Sequence, residues 1–325
     1  MTINLKSGLA AAVASFALVA GSAVAQSYPA KPVRMIAPFP PGGAPDLFAR
    51  LVADNLGTSL GQQVFVENRP GAGGNIASEA AAKSPADGYT LYLAAHPPFT
   101  LNPILMGRAP YDPVKDFAPI ALVGSQWFVL SVNPQVPARN LDQLVAYVKA
   151  NPGKLSYASS GPGSPQHLGM EFFKHALGLD VAHVPYKGAS LFVSDLVSGR
   201  IDMALASLTV AGQQLKSGKI LPLAVTSKQR SSLFPELPSV AESLIPGYEV
   251  TAWFAVVAPT GVPREIVTRL NGEIERIVAR PEVKTRLTGL GLDANFSSPE
   301  GLAEVIRSEI AKWGKVVRDA KIKVD

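Results

Sequence analysis

The chain has 325 residues, a formal net charge of +5, 47% hydrophobic residues and no cysteine. Without cysteine there is no disulfide, thiolate metal site or thiol nucleophile, so the fold rests on its core alone. The basic balance invites a nucleic-acid reading, but no dense Lys/Arg run with interleaved aromatics occurs, and no nucleic-acid partner is expected.

Residues 1–25 read as a secretory signal peptide. Lys6 opens it, Leu9–Ala20 is almost unbrokenly apolar, and Ala23-Val24-Ala25 supplies the small residues of a cleavage site before Gln26. The run is too short for a comfortable membrane span, and no later stretch reaches the roughly 18 unbroken apolar residues that one needs. The mature protein is expected in the periplasm, without a lipid anchor. About 300 residues remain, enough to bury a core of their own, most naturally as two α/β lobes.

The first mature elements are a short apolar strand, Val33–Ala37, and a helix through Leu47, Phe48, Leu51, Val52 and Leu56. Between them lies Pro38-Phe-Pro-Pro-Gly-Gly-Ala-Pro-Asp46. A strand that turns through two glycines into a helix exposes backbone N–H groups along the helix dipole, which attract an anion without a cationic side chain. The plainer reading is an ordinary turn with Asp46 as the helix N-cap. Gln63–Glu67 alternates as a strand. The cluster Asn68–Asn75 then leads into an Ala-rich helix, Ile76–Lys83. It only loosely resembles a dinucleotide fingerprint, lacking the full spacing and the acidic residue beyond. Tyr89–Ala95 is a third strand, ending at His96-Pro97-Pro98, on the carboxyl edge where open α/β sheets bind ligands. His96 is either a ligand contact there or a capping or surface histidine.

Pro110–Ile120 reads as an irregular loop. Gln126–Pro134, which contains Trp127-Phe128, is followed by Val136-Pro137 and an amphipathic helix, Leu141–Ala150. Far downstream, Ala252–Pro259 contains Trp253-Phe254 and is followed by Val262-Pro263 and a helix, Glu265–Ala279. The same device used twice suggests two chain passages between lobes, a natural hinge. Lobe 1 is then 26–126 with 252–325, and lobe 2 is 127–251.

Lobe 2 repeats the opening logic. Strand Leu155–Ser159 runs into Ser160-Gly161-Pro162-Gly163-Ser164 and a helix through Leu168, Phe172, Phe173 and Leu177, so hydroxyls and helix-end amides again gather at one turn. His167, one turn into that helix, is a ligand contact or a packing residue. Strand Val181–Pro185 ends at Tyr186-Lys187-Gly188, where Lys187 either pairs with a carboxylate or stays solvated. Strand Ile201–Ala206 starts at Asp202, which binds or satisfies nearby backbone, and leads to Ser207-Leu208-Thr209. A last strand, Ile220–Thr226, follows. Helices Glu265–Ala279, Pro281–Leu290 and Pro299–Ala320 carry apolar stripes that suit packing on lobe 1.

Catalytic sets are missing. The four histidines show no metal spacing, no G-x-S-x-G elbow or P-loop occurs, and Ser160 or Ser164 with His167 falls where hydroxyls more often cap helices. An enzyme is not expected, and neither a cofactor nor a metal.

These residues carry a family resemblance. Pro40-Pro41-Gly42-Gly43 with Asp46 and Ala49-Arg50, Val66–Asn75, Asp87–Leu91, Tyr111–Phe117, Tyr157–Gly161, His183–Gly188, Leu223–Ser227 and Trp253-Phe254 together resemble the TctC or Bug family. These are the extracytoplasmic solute-binding receptors of tripartite tricarboxylate transporters. The resemblance spans essentially the mature chain. It implies a monomeric periplasmic receptor of the type II binding-protein fold, whose two α/β lobes close over a small carboxylate held by backbone, hydroxyls and bridging waters. The ligand would be an organic acid, amino acid or aromatic carboxylate, delivered to membrane permease subunits. The alternatives are presentation to a sensor-kinase ectodomain, or an exported enzyme acting on a carboxylate. Contacts would come from Phe39, Pro41, Gly42, Gly43 and Ala44 in lobe 1, and from Ser160, Gly161, Gly163, Ser164 and His167 in lobe 2, with Asp46 capping the first helix. His96, Pro97, Tyr186 and Ser207 complete the rim at neighbouring strand ends. His96–Phe99 and Ala206–Thr209 depart from the small or Asp-Asn residues of relatives, and the bulkier rim suits a carboxylate with an apolar body.

Overall fold

The computed structural model describes residues 28–105, 109–319 and 322; the signal-peptide reading at 1–25 lies outside them. Strand β1 (Val33–Ala37) is nearly all apolar because both its faces are covered, as parallel strands require. It pairs in parallel with β2 (Val64–Asn68) and β3 (Thr90–Ala95). The sheet is completed by β4 (Phe117–Trp127), β10 (Thr251–Pro259) and β11 (Leu292–Asp293), in the order β11-β4-β10-β3-β1-β2, with β10 antiparallel to β3 and β4. Part of the segment expected as a loop, Phe117–Ile120, is therefore strand. Its prolines mask that in sequence, yet Pro119 sits opposite Val257 in the ladder, where β4 shifts register.

Period-two alternation sorts the side chains of this sheet. Met35, Leu91, Leu93, Phe254 and Val256 join one cluster with Phe48 and Val52 of helix α1 (Ala44–Leu60) and Leu270 and Ile274 of α9 (Arg264–Ala279). Ile36, Tyr92, Trp253 and Val257 face the other way. They pack with Ala77 and Ala81 of α2 (Asn75–Ala82) and Leu302 and Ile306 of α11 (Pro299–Asp319). The C-terminal helices thus close both faces of the first sheet.

The second sheet runs β7-β6-β8-β5-β9, from β5 (Val129–Val132), β6 (Ser156–Ser159), β7 (Ala182–Pro185), β8 (Met203–Ala206) and β9 (Leu221–Val225). Helices α4 (Leu141–Ala150), α5 (Pro165–Leu177), α6 (Ala189–Ser198) and α7 (Leu208–Lys216) belong to this half. Strand β6 is parallel to both its neighbours, so its carboxyl end, like that of β1, opens onto a turn and a helix N-terminus.

Two chain passages join the sheets. Only Phe128 separates β4 from β5, and β10 begins one residue after Val250. Buried Thr226 fastens the two passages together: its Oγ1 accepts the Phe128 N–H at 2.9 Å and donates to Val250 O at 2.7 Å. The repeated Trp-Phe pairs lie on antiparallel neighbours here, with Trp127 opposite Thr251 and Trp253 opposite Ser125. Trp127 is buried in the second half and Trp253 in the first. Two lobes on a hinge of two adjoining strands result.

Candidate functional site: the cleft between the lobes

At the end of β1 the chain turns through Pro38–Gly43 into α1. Gly43, not Asp46, holds the N-cap position, and it has no side chain to cap with. Asp46 sits one turn in and reaches back. Its Oδ2 accepts the Gly42 N–H at 3.0 Å and the Arg50 Nε–H at 3.0 Å, and its Oδ1 accepts from Asn68 Nδ2 at 2.9 Å. Asn68 also donates to Phe39 O at 2.9 Å. Burial of Asp46 opposes its charge, but the bonds from Arg50, Asn68 and Gly42 outweigh it and hold the carboxyl below its usual range. The Gly42 amide is therefore spent inside the turn. Gly43 and Ala44 N–H, at the positive end of the helix, keep no protein acceptor among the described residues.

Three strand ends of the first lobe converge on this turn. A β-carbon added to Gly74 would lie 3.2 Å from Pro38 Cβ and 3.1 Å from Pro98 Cγ. The Asn75 side chain accepts from Asn102 at 2.7 Å and from the Tyr111 hydroxyl at 2.8 Å. The sequence does not announce this Asn75–Asn102–Tyr111 set, because a glycine-rich loop gives no sign of which neighbour it packs on.

His96 corrects an expectation. It is fully buried, with its ring edge-on to Trp253 and Trp313 and its Nε2 3.2 Å from Glu309 Oε2, off the line of a good hydrogen bond. Burial holds the His96 pKa down. It opposes charge on the half-buried Glu309 too, but the bonds from Lys312 and the Trp313 indole N–H outweigh it and keep that carboxyl well below its usual range. The imidazole points beneath the C-terminal helix instead of into the cleft, because the peptide at His96 is already helical and swings the side chain off the strand edge. Phe99 is fully buried too, among Tyr92, Phe117 and Trp253. The bulky rim expected from His96–Phe99 is thus core, and only Pro97 remains half-exposed.

In the second lobe the turn after β6 is held differently. Ser164 is a true N-cap, its Oγ accepting the His167 N–H at 3.2 Å. Gly163 N–H donates to His167 Nδ1 at 3.1 Å, which leaves the ring proton on Nε2. Burial and the neighbouring His183 keep His167 neutral, with its pKa pushed down to about 4. Ser160 Oγ donates to Gln166 at 2.9 Å, and Gly161 lies against the Tyr186 carbonyl. The Tyr186 hydroxyl itself is turned away, donating to Asp195 at 2.7 Å. Ser207 is the nearly buried N-cap residue of α7; its hydroxyl meets Thr209 Oγ1 at 3.0 Å, and Thr209 accepts from Gln126 of β4 at 3.0 Å. Lys187 is exposed. Asp202 accepts from the Ser156 backbone at 2.7 Å and the Ser156 hydroxyl at 2.9 Å.

The lobes meet at Gly163. It takes φ +72°, and a β-carbon there would stand 2.8 Å from Leu105 Cδ1, at the end of the short helix α3 (Asn102–Leu105). Pro38, Gly74, Pro98, Asn102, Leu105 and Gly163 therefore form a continuous series of contacts and short connections across the cleft. Along it lie the first-lobe turn with its free amides and the second-lobe turn with its hydroxyls and neutral imidazole. His183, Ser159, Tyr157 and Glu171 were also missed. What brings them together is tertiary: the β6–β7 register sets Tyr157 opposite His183.

Among the described residues no cluster of His, Cys, Asp or Glu could hold a metal ion, and no helix is long and apolar enough to cross a membrane.

Comparison with known proteins places this architecture. Residues 48–322 match the model of the tripartite tricarboxylate transporter family receptors, and the chain belongs to that family of solute-binding receptors. It is 38% identical over 320 residues to Protein BugT of Bordetella pertussis, covering 97% of this chain and 98% of that protein. It is 39% identical over 297 residues to a protein encoded in the tcbD-tcbE intergenic region of Pseudomonas sp. strain P51, covering 91% and 88%. Among solved structures, an R. palustris protein with adipate superposes with TM-score 0.84 at 36% identity, covering 92% of this chain and all of that one. MatC from Rhodopseudomonas palustris with bound malate superposes with TM-score 0.78 at 31% identity, covering 89% and 100%. The two-lobed periplasmic binding-protein fold is common to them.

Proposed function

We propose that this chain is exported to the periplasm through its cleaved leader and captures a small carboxylate between lobe 1 (26–126 and 252–325) and lobe 2 (127–251). As a monomer it then delivers the ligand to the membrane subunits of a tripartite tricarboxylate-type transporter. One observation carries the reading: each lobe brings a strand–turn–helix unit to the cleft, and the first keeps two helix-end amides unpartnered. Gly43 and Ala44 N–H would take one carboxylate, with Phe39 and Pro41 walling it. Ser160, Gly161, Ser164 and the neutral His167 would meet the ligand from the other lobe, directly or through water. Arg50, the cation on the first helix, is paired with Asp46, so backbone and hydroxyl donors do the binding.

Energetics allow this. Hydrogen bonds to a charged group are worth about 1.5–3 kcal/mol each, and a helix end adds up to about 1 kcal/mol. Three or four such bonds can exceed desolvation and lobe ordering enough to reach about −8 kcal/mol, the micromolar range. Ligand that touches both lobes only in the closed form shifts the population toward it. The dicarboxylates held by the two relatives make adipate and malate the first probes, since burial of His96 and Phe99 removes one of the two loops that favoured an apolar ligand body.

Calorimetry with adipate, malate and benzoate tests the reading, beside Gly43→Val. A β-carbon at Gly43 meets only Pro45 Cδ at 3.6 Å and φ there is −85°, so a side chain is admitted by the backbone and would crowd the two free amides. Micromolar binding of a carboxylate, weakened at least about tenfold by the substitution, is the expected result. Equal affinity in the variant removes the anion site from this turn, and product formation on incubation would reassign the protein to catalysis.

A further inference from the structure

His183 does not belong to either ligand turn, yet it touches what shapes the second one. It stands on β7 opposite Tyr157 of β6, stacked on that ring at 4.8 Å and on His167 at 4.2 Å. Its Nε2 lies 2.7 Å from the hydroxyl of the fully buried Ser159. That same oxygen accepts the Gly161 N–H at 3.1 Å and lies 3.1 Å from Gly161 O. A serine hydroxyl has one proton and two lone pairs. Gly161 O also accepts the Ser164 N–H at 3.2 Å, so with the Gly161 N–H donating to Ser159 Oγ, that hydroxyl and His183 Nε2 share one hydrogen bond in either direction.

We propose that His183 is a positioning residue of the ligand cleft. It fixes Gly161 through the Ser159 hydroxyl, and Gly163 through the stacked ring of His167. Both glycines of the turn are thereby tied to one imidazole pair, of which His167 would also meet the ligand and His183 stands behind it. This rests on the reading of the turn as a carboxylate site.

The charged groups facing the stack are Glu171 and Lys174 of α5, paired with each other at 2.6 Å, and the Tyr157 hydroxyl donates to Glu171 at 2.6 Å. Burial of both rings opposes their protonation, and the proximity of His183 further opposes charge on His167. The ties therefore hold in the neutral range. Protonated His167 loses the Nδ1 acceptor that Gly163 uses, so the turn loosens in acid.

Two variants separate hydrogen bonding from bulk. His183→Gln carries an amide that can donate where Nε2 does, but cannot stack; His183→Phe stacks but cannot donate. Adipate affinity, amide hydrogen exchange at Gly161 and Gly163, and melting temperature are measured for each. Expected are about tenfold weaker adipate binding and faster exchange at Gly161 in the Phe variant, which keeps the stack, and faster exchange at Gly163 alone in the Gln variant, with its affinity within about threefold of the wild type. Wild-type affinity and exchange in the Phe variant, with the loss confined to the Gln variant, would overturn the proposal in favour of ring packing alone. If the wild type binds neither adipate nor malate, the dicarboxylate reading of the site fails. Exchange at Gly161 and Gly163 then still decides the role of His183.

Discussion

The two turns that face each other across the cleft share an outline and differ in what holds them. The first is braced by one buried carboxylate, Asp46, which gathers Gly42, Arg50 and Asn68. The second is braced by neutral groups, with the Ser164 cap, the Ser159 hydroxyl and the His167–His183 stack tying its backbone down. The same geometric result, a helix N-terminus held open toward the cleft, is reached once with a charge and once without. An ionised brace resists acid down to the carboxylate range, whereas an imidazole brace gives way earlier. The two turns should therefore be separable by mutation and by pH.

The largest effect is expected from Asp46→Ala. It strips three hydrogen bonds from one buried carboxylate and should cost about 3 kcal/mol of stability in urea unfolding at pH 7. A loss below about 1 kcal/mol would mean that Asn68 and Arg50 brace the turn without it. Adipate binding should fall in parallel, since Gly42 would no longer be anchored.

Acid should attack the second turn first. An unfolded histidine takes up a proton near pH 6.5 and folded His167 only at about 4, so the unfolded state binds more protons between those values. Stability is therefore full above about pH 6.5 and declines as pH falls toward 4, by about 2 kcal/mol between pH 7 and pH 5. Asp46, whose folded pKa is depressed, keeps its contribution throughout that window and loses it only at lower pH. Urea midpoints at the two pH values measure this, and His167→Asn should reduce the slope, leaving the part that buried His96 and His183 supply. An unchanged slope in that variant would place the titrating group elsewhere.

Gly163→Ala comes next. It forces a side chain into φ +72° and against Leu105, and should cost about 1 kcal/mol or slightly more while also holding the lobes apart. Weakened adipate binding with a near-normal melting curve would mark the contact as part of closure. The smallest effect belongs to Arg50→Ala. Half of that side chain is exposed, so the ion pair with Asp46 should contribute less than about 1 kcal/mol. A larger loss would show the guanidinium to be part of the brace.

Much of this frame was legible in the residues. The strand–glycine–helix sequences at Val33–Leu60 and Ser156–Leu177 announce their turns locally, because glycine, proline and capping hydroxyls act on adjacent backbone. The doubled Trp-Phe passages marked the chain's route between lobes. Three things were not legible. The role of Asp46 depends on whether the N-cap falls at Gly43 or three residues later, a matter of one helical turn. The strand at Phe117–Ile120 is hidden by Pro119, which suits a register shift as well as a loop. The fate of His96 depends on a helix more than two hundred residues away, whose Glu309 and Trp313 receive it.

By itself, then, the sequence determined the order of the elements, the two glycine turns, the absence of thiol chemistry and the family likeness. Each of these is carried by near neighbours or by ordered motifs along the chain. Only the tertiary structure decided which amides stay free, that His96 and Phe99 are core, and that His183 backs the second turn. Those outcomes turn on which side chain reaches a given donor first, and residues distant in sequence decide that.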